Sequence, residues 1–125
     1  MPGHSFRSAV ERQDIDAAVE LLADDVVFRS PAVFKPYQGR ETVATILRTV
    51  VQVFEDFRYT DELAGDGVHA LIFEARVGDR SVQGLDLIRS DADGRIAELT
   101  VMVRPASGLM ALGERMGPAL QAAGV

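Results

Sequence analysis

Asp86 stands in the run Leu85, Asp86, Leu87, Ile88, where a carboxylate is costly unless it is paired or keeps its proton. A carboxyl stripped of water holds its proton to higher pH, and in its neutral form it can donate a hydrogen bond to a ligand oxygen. The competing reading is a structural aspartate bonded to a backbone amide or to His69. Strand parity predicts what surrounds it. If the Gly78-Asp79 turn pairs Val77 with Arg80, then Ala75 faces Val82, Phe73 faces Gly84 and Leu71 faces Asp86. If the second turn pairs Ser90 with Arg95, then Leu99 faces Asp86 and Val101 faces Gly84, which places Asp86 between two leucines. Leu71, Phe73, Val82, Ile88, Leu99, Val101 and Val103 make this the more apolar face, expected to be concave. His69 belongs to it, diagonal to Asp86 at about 7 to 8 Å, within reach through a water or a ligand. Asp86 and His69 are therefore the candidate catalytic residues. His69 has no partners at metal-ligand spacing, and no metal is expected. Glu74 and Arg76 fall on the other face as a surface ion pair. Asp91, Asp93 and Gly94 read as turn chemistry, since a calcium loop needs ligands continuing to a distant glutamate.

These strands need elements to position them. Residues 5–13 and 14–25 read as two short helices with Ser5 and Asp14 as N-caps. Residues 26–31 read as a short strand ending at Pro31. A long helix is predicted over 40–57, with Val43, Ile46, Leu47, Val50 and Phe54 on one stripe. Strands are predicted over 58–64, 68–77, 80–90 and 95–104, joined by hairpins into an antiparallel sheet. Past Pro105, Leu109, Leu112 and Met116 mark a terminal helix, weakened by Gly113 and cut short near Gly117-Pro118.

The 125 residues are 47% hydrophobic, enough for one packed domain over 1–125, with 106–125 as a C-terminal helical extension. A net charge of -6 and scattered arginines argue against a nucleic-acid partner. The absence of cysteine excludes a disulfide framework and a thiolate nucleophile. The N-terminal residues reach charge before any signal-like apolar run forms, and no stretch approaches the roughly 20 apolar residues of a membrane helix. A soluble, cytoplasmic protein without membrane contact is expected.

The phrases "DIDAAVELLADDVVFRSP", "GRETVATIL" and "LDLIRSDADGRIAELTVMV" resemble the SnoaL-like and ketosteroid-isomerase-like branch of the NTF2-like superfamily, over nearly all of 6–104. The resemblance implies an α+β cone: N-terminal helices and one long helix packed in a strongly curved antiparallel sheet, plus the C-terminal helix, with a ligand pocket between. It also implies that Asp86 sits where the isomerases keep a protonated aspartate donating to an enolate oxygen, a role borrowed from that well-described enzyme. The rest of that machinery differs. Ser30 stands where the isomerase general base would be, and a serine cannot take a proton from carbon without a base of its own. Phe6, Leu22 and Leu47 stand where its tyrosines would be. The Asp-Arg-Asp set of epoxide-hydrolase relatives and the second histidine of dehydratase relatives have no match, His4 lying in an N-terminal tail expected to be mobile.

The pocket is expected to be lined by Phe6, Phe28, Ser30, Leu47, Leu71, Phe73, Gly84, Leu99, Val101 and Val103, and to take a small hydrophobic molecule without a cofactor. Two function classes remain open. One is acid/base chemistry by an isomerase, cyclase or dehydratase on a small apolar substrate; the other is a non-catalytic hydrophobic-ligand-binding or dimeric interaction module. Val68, Ala70, Ile72, Leu85, Leu87, Ile96, Thr100 and Met102 form an apolar convex face, for which a homodimer is expected unless the terminal helix covers it.

Overall fold

The computed structural model describes residues 4–125. Two short helices, α1 (Ser5–Glu11) and α2 (Ile15–Glu20), lead into β1 (Leu22–Arg29), a two-residue strand β2 (Tyr37–Gln38) and the long helix α3 (Arg40–Val53). Strands β3 (Glu55–Ala64), β4 (Val68–Val77), β5 (Arg80–Ser90) and β6 (Ile96–Arg104) follow, and α4 (Ala106–Ala122) closes the chain. The sheet runs in the order β2-β1-β6-β5-β4-β3. All pairs are antiparallel except β1 with β6, where the intervening elements bring the chain back in the same direction. This is an α+β architecture with a curved, unclosed sheet around α3. Phe6, Val43, Ile46, Leu47, Leu71 and Ile88 meet in one buried core.

Burial alternates along β4 and β5, which is what a sheet with one covered face requires. Their register has Val77 opposite Arg80 and Leu71 opposite Asp86, as strand parity predicts. The β5–β6 register differs from expectation by two residues. Asp86 faces Val101, Gly84 faces Val103 and Ile88 faces Leu99, so Asp86 lies between a leucine and a valine. An irregularity between Arg89 and Ser90 lets Ala97 stand as an extra residue. Such a bulge reverses parity beyond it, and Ile96 is buried in the core instead of lying on the convex face.

Other local expectations are also corrected. His4, not Ser5, caps α1: its Nδ1 accepts the Phe6 N–H at 3.0 Å. His4 is therefore docked, not part of a loose tail. Asp14 caps α2 as expected, accepting the Ala17 N–H at 3.1 Å. The second helix is shorter than its pattern suggests and β1 begins at Leu22. The chain leaves α3 after Val53, because Phe54 adopts an extended backbone while keeping its ring in the core. Helix α4 continues through Pro118 to Ala122. The proline lies at the exposed surface, as does Glu114, whose carbonyl loses its helical partner to that ring and can turn to water. Leu112 and Met116 of α4 pack on Ala75, Val77 and Val82, on the concave side of the sheet. Among the described residues no helix covers the convex face, where Met102 and Leu63 are more than half exposed.

Candidate functional site

Between α1, α3, α4 and the inner sheet face lies a cavity of about 720 Å³ with predominantly apolar walls. Its inner wall is aromatic. Phe57 stacks on Phe73 at 4.7 Å between ring centroids, and Phe54 meets Phe73 edge-on at 5.5 Å. Gly84 makes this arrangement possible, since a Cβ there would stand 2.1 Å from the Phe73 ring. Gly84 thus acts beneath Phe73, and a side chain in its place would displace the ring.

Two polar groups meet against this wall. The Tyr59 hydroxyl donates to Asp86 Oδ2 at 3.1 Å, and both residues are buried cavity walls. Burial pushes the Asp86 carboxyl up to about 7, against the opposing pull of the Tyr59 hydrogen bond. Tyr59 is likewise pushed up, first by burial and then by the neighbouring Asp86 charge. Its ring stands edge-on to Phe57 at 5.0 Å, and the Arg7 guanidinium lies 5.7 Å from its centroid. The pair holds two dissociable protons below about pH 7, one spent between Tyr59 and Asp86 and one free for a ligand oxygen. Once Asp86 ionises, a single proton remains between them and the pair becomes an acceptor.

Tyr59 is the polar group that strand parity misses. Counting back from the pairs Glu62 with Leu71 and Asp61 with Ile72 would put Tyr59 opposite Glu74, on the convex side. A bulge at Thr60 shifts the register, so that Tyr59 faces Phe73 and points inward. A second shift at Asp56, whose φ is +53°, sets the local course of the strand before Phe57. The signal available in the sequence was composition: Tyr59 is one of two tyrosines, and it sits beside an inward-facing strand that carries Phe73.

The expected residues divide into those that reach the cavity and those that do not. Asp86, Phe73, Leu99, Val101 and Phe28 line it from the sheet, Ser30 from the turn after β1, and Phe6 and Leu47 from the helices. Leu71 is wholly buried in the core beneath, and Val103 packs toward Leu112. His69 shares the inner face, paired opposite Ile88, but it lies outside the cavity lining. Helix α1 lands over it instead, with the His4 ring 4.6 Å away. The structure therefore does not bring His69 and Asp86 into one site. Among the described residues, no group of three His, Asp or Glu is placed to hold a metal ion, and no helix is long and apolar enough to cross a membrane.

The profile of the SnoaL-like domain matches residues 4–99. The chain belongs to the SnoaL-like domain family. Its fold is shared with a crystal structure described as a steroid delta-isomerase from Pseudomonas aeruginosa, which is 46% identical, with 98% of this chain and 97% of that chain covered and a TM-score of 0.87. A bacterial protein described as having a cystatin-like fold, from Silicibacter pomeroyi DSS-3, is 34% identical over 91% of this chain and 81% of that one, with a TM-score of 0.87. An NTF2-like protein of unknown function from Mesorhizobium loti is 21% identical over 80% of this chain and 85% of that one, with a TM-score of 0.70, and shares the fold alone. No curated protein matches the sequence.

Within this SnoaL-like frame, the residues at the isomerase-like positions have other tasks. Phe6 and Leu47 present hydrocarbon to the cavity, while Leu22 is wholly buried in the core. Ser30 Oγ accepts the Ala32 N–H at 3.0 Å, which shapes the turn after β1. The other acids at the cavity wall are held by arginines. Glu11 pairs with Arg7 at 3.3 Å and Asp56 with Arg76 at 2.7 Å.

Proposed function

We propose that this chain binds a small, largely apolar molecule and takes one of its oxygen atoms at the Tyr59–Asp86 pair, polarising a carbonyl or enol there. The observation that carries this reading is the 3.1 Å Tyr59–Asp86 hydrogen bond set in an aromatic wall. An apolar enclosure strengthens a hydrogen bond to the ligand and raises the cost of leaving the pair without one. One oxygen of Asp86 is engaged by Tyr59, and Asp86 itself borders the cavity. Below about pH 7 the pair offers a proton, which suits a ketone or enone; above it, the pair suits a phenol or another donor. The steroid delta-isomerase from Pseudomonas aeruginosa makes ketones a sensible first probe class. The position expected for the base of the steroid reaction holds Ser30, whose Oγ accepts the Ala32 N–H and which cannot take a proton from carbon unaided.

Binding of 2-naphthol and of a fused-ring enone, followed by fluorescence and calorimetry, tests the reading. Asp86→Leu and Tyr59→Phe are each expected to weaken both probes at least tenfold. Unchanged affinities in folded variants would overturn it. In an absorbance assay, a β,γ-unsaturated ketosteroid should conjugate no faster than in buffer. Turnover would mean that another base serves the pocket.

The position of α4 supports a second copy of the chain as the partner of the convex face. With the terminal helix on the concave side, no helix among the described residues covers Ile72, Leu85, Leu87 and Met102, the first three half-buried and the last exposed. Arg29–Glu98 and Arg58–Glu74 ion pairs border them, an apolar patch with a polar rim. Light scattering at micromolar concentration should give a dimer mass, and Leu87→Arg should give a monomer. A monomeric parent chain would remove the proposal.

A further inference from the structure

Helix α1 is seven residues long, too short to persist on its own propensity. Its position depends on what holds it. Three interactions converge at its first turn. The His4 N–H donates to Glu62 Oε2 at 3.0 Å, Arg7 bonds Glu62 Oε1 at 3.2 Å, and His4 Nδ1 accepts the Phe6 N–H at 3.0 Å. The last of these demands a neutral imidazole protonated on Nε2, because an imidazolium has donors only. Beside the His4 ring, at 4.6 Å, stands His69, whose Nδ1 is buried and has no hydrogen-bond partner among the described residues. The helix so held supplies Phe6, Val10 and Glu11 to the cavity wall and Arg7 to the Tyr59 ring.

We propose that His4, seated on His69 and Glu62, is a pH-sensitive latch that docks α1 against the cavity and releases it when the imidazole takes up a proton. Protonation turns the capping acceptor into a donor pointed at the Phe6 N–H. It also sets a cation against His69. The groups facing His4 are Glu62 from β3, His69 from β4 and Arg7 from its own helix, while β5 contributes only Ile88 beside His69. Burial is the largest influence on His4 and lowers its pKa; His69 lowers it further and Glu62 opposes both. The sign follows. Since the folded chain disfavours the proton, docking is strongest above the ordinary histidine range and weakens as pH falls below it. Release would open one wall of the cavity, so ligand exchange would quicken in acid.

Hydrogen exchange in the ligand-free chain tests the latch without relying on the ligand reading. After correction for intrinsic rates, the α1 amides should lose at least twofold in protection between pH 8 and pH 5.5, while those of β4 and β5 keep theirs. His4→Asn retains an uncharged capping oxygen and should hold α1 protection level across the same range. Asp86→Asn removes the cavity carboxyl that is raised to about 7 and should leave the drop intact. Level protection in the parent chain, an undiminished drop in His4→Asn, or a drop abolished by Asp86→Asn would each overturn the proposal.

Discussion

At the cavity end of the inner sheet face, burial raises the pKa of Asp86, while at the α1 end burial lowers that of His4. The same cause acts on an acid and on a base, so the two places respond to pH in opposite directions. Asp86 loses its neutral form as pH rises through about 7. His4 loses its neutral form as pH falls below the ordinary histidine range. The partners differ too. Asp86 has Tyr59 to accept from, whereas the His69 Nδ1 beside His4 has no partner among the described residues. The comparison teaches that the neutral state is the common design of this face, and that its two ends fail at opposite edges of the pH scale.

The largest expected effect separates the ends by removing one titration. In Asp86→Asn the amide replaces the carboxyl without a charge. The Asp86 carboxyl is raised from 3.8 to about 7 in the folded chain. Its contribution to stability is therefore complete below the unfolded value and is lost as pH climbs through the folded one. Urea denaturation at a series of pH values should show the parent chain losing on the order of 4 kcal/mol relative to Asp86→Asn between pH 4 and pH 8. The His4 contribution appears in both chains and cancels. Parallel stability curves would mean that the Asp86 pKa is the same in the folded and unfolded chain, and the contrast between the two ends would disappear.

A second change attacks the burial itself. Phe73→Ala removes the ring that rests on Gly84 and stacks on Phe57, at a cost of about 3 kcal/mol. Water then gains access to Asp86, and the carboxyl should return toward the ordinary range. The pH dependence described above should shrink in Phe73→Ala while α1 protection keeps its own. If the Asp86 transition stays where it was, something other than the aromatic wall holds its proton.

How legible these regions were follows from where the strand alternation is interrupted. Asp86 was visible because a carboxylate in an apolar run is conspicuous, and the β4–β5 register was visible because a glycine turn pins it at Gly78. The fold and its concave face followed from that pair. Tyr59 was not visible, because a single extra residue at Thr60 carries it from one face to the other. The turn pairs Ser90 with Ile96 instead of Arg95, and a one-residue insertion of the same kind at Ala97 adds to that shift, so that the partner of Asp86 is Val101 and not Leu99. Phe54 fitted the helical stripe, yet the chain bends after Val53 and keeps the ring inside. His4 gave no signal, since a histidine cap depends on Glu62 and His69, distant in sequence and close only in the fold.

The smallest effect probes the bond that the alternation concealed. Tyr59→Phe keeps the ring between Phe57 and Arg7 and deletes only the donor to Asp86. At pH 5 both partners are neutral, and losing an ordinary buried hydrogen bond should cost about 1 kcal/mol. At pH 8 the carboxylate loses a charge-assisted bond, and the cost should approach about 2 kcal/mol. Because that bond is what restrains the Asp86 shift, its removal should also move the carboxyl transition to higher pH. Denaturation of the parent chain, Tyr59→Phe, Asp86→Asn and the double variant at both pH values gives the coupling directly. A coupling that grows with pH places the charge on Asp86 and the proton on Tyr59. A coupling that is the same at pH 5 and pH 8 would mean that the bond does not sense ionisation, and the acid end of the face would then hold its proton by desolvation alone.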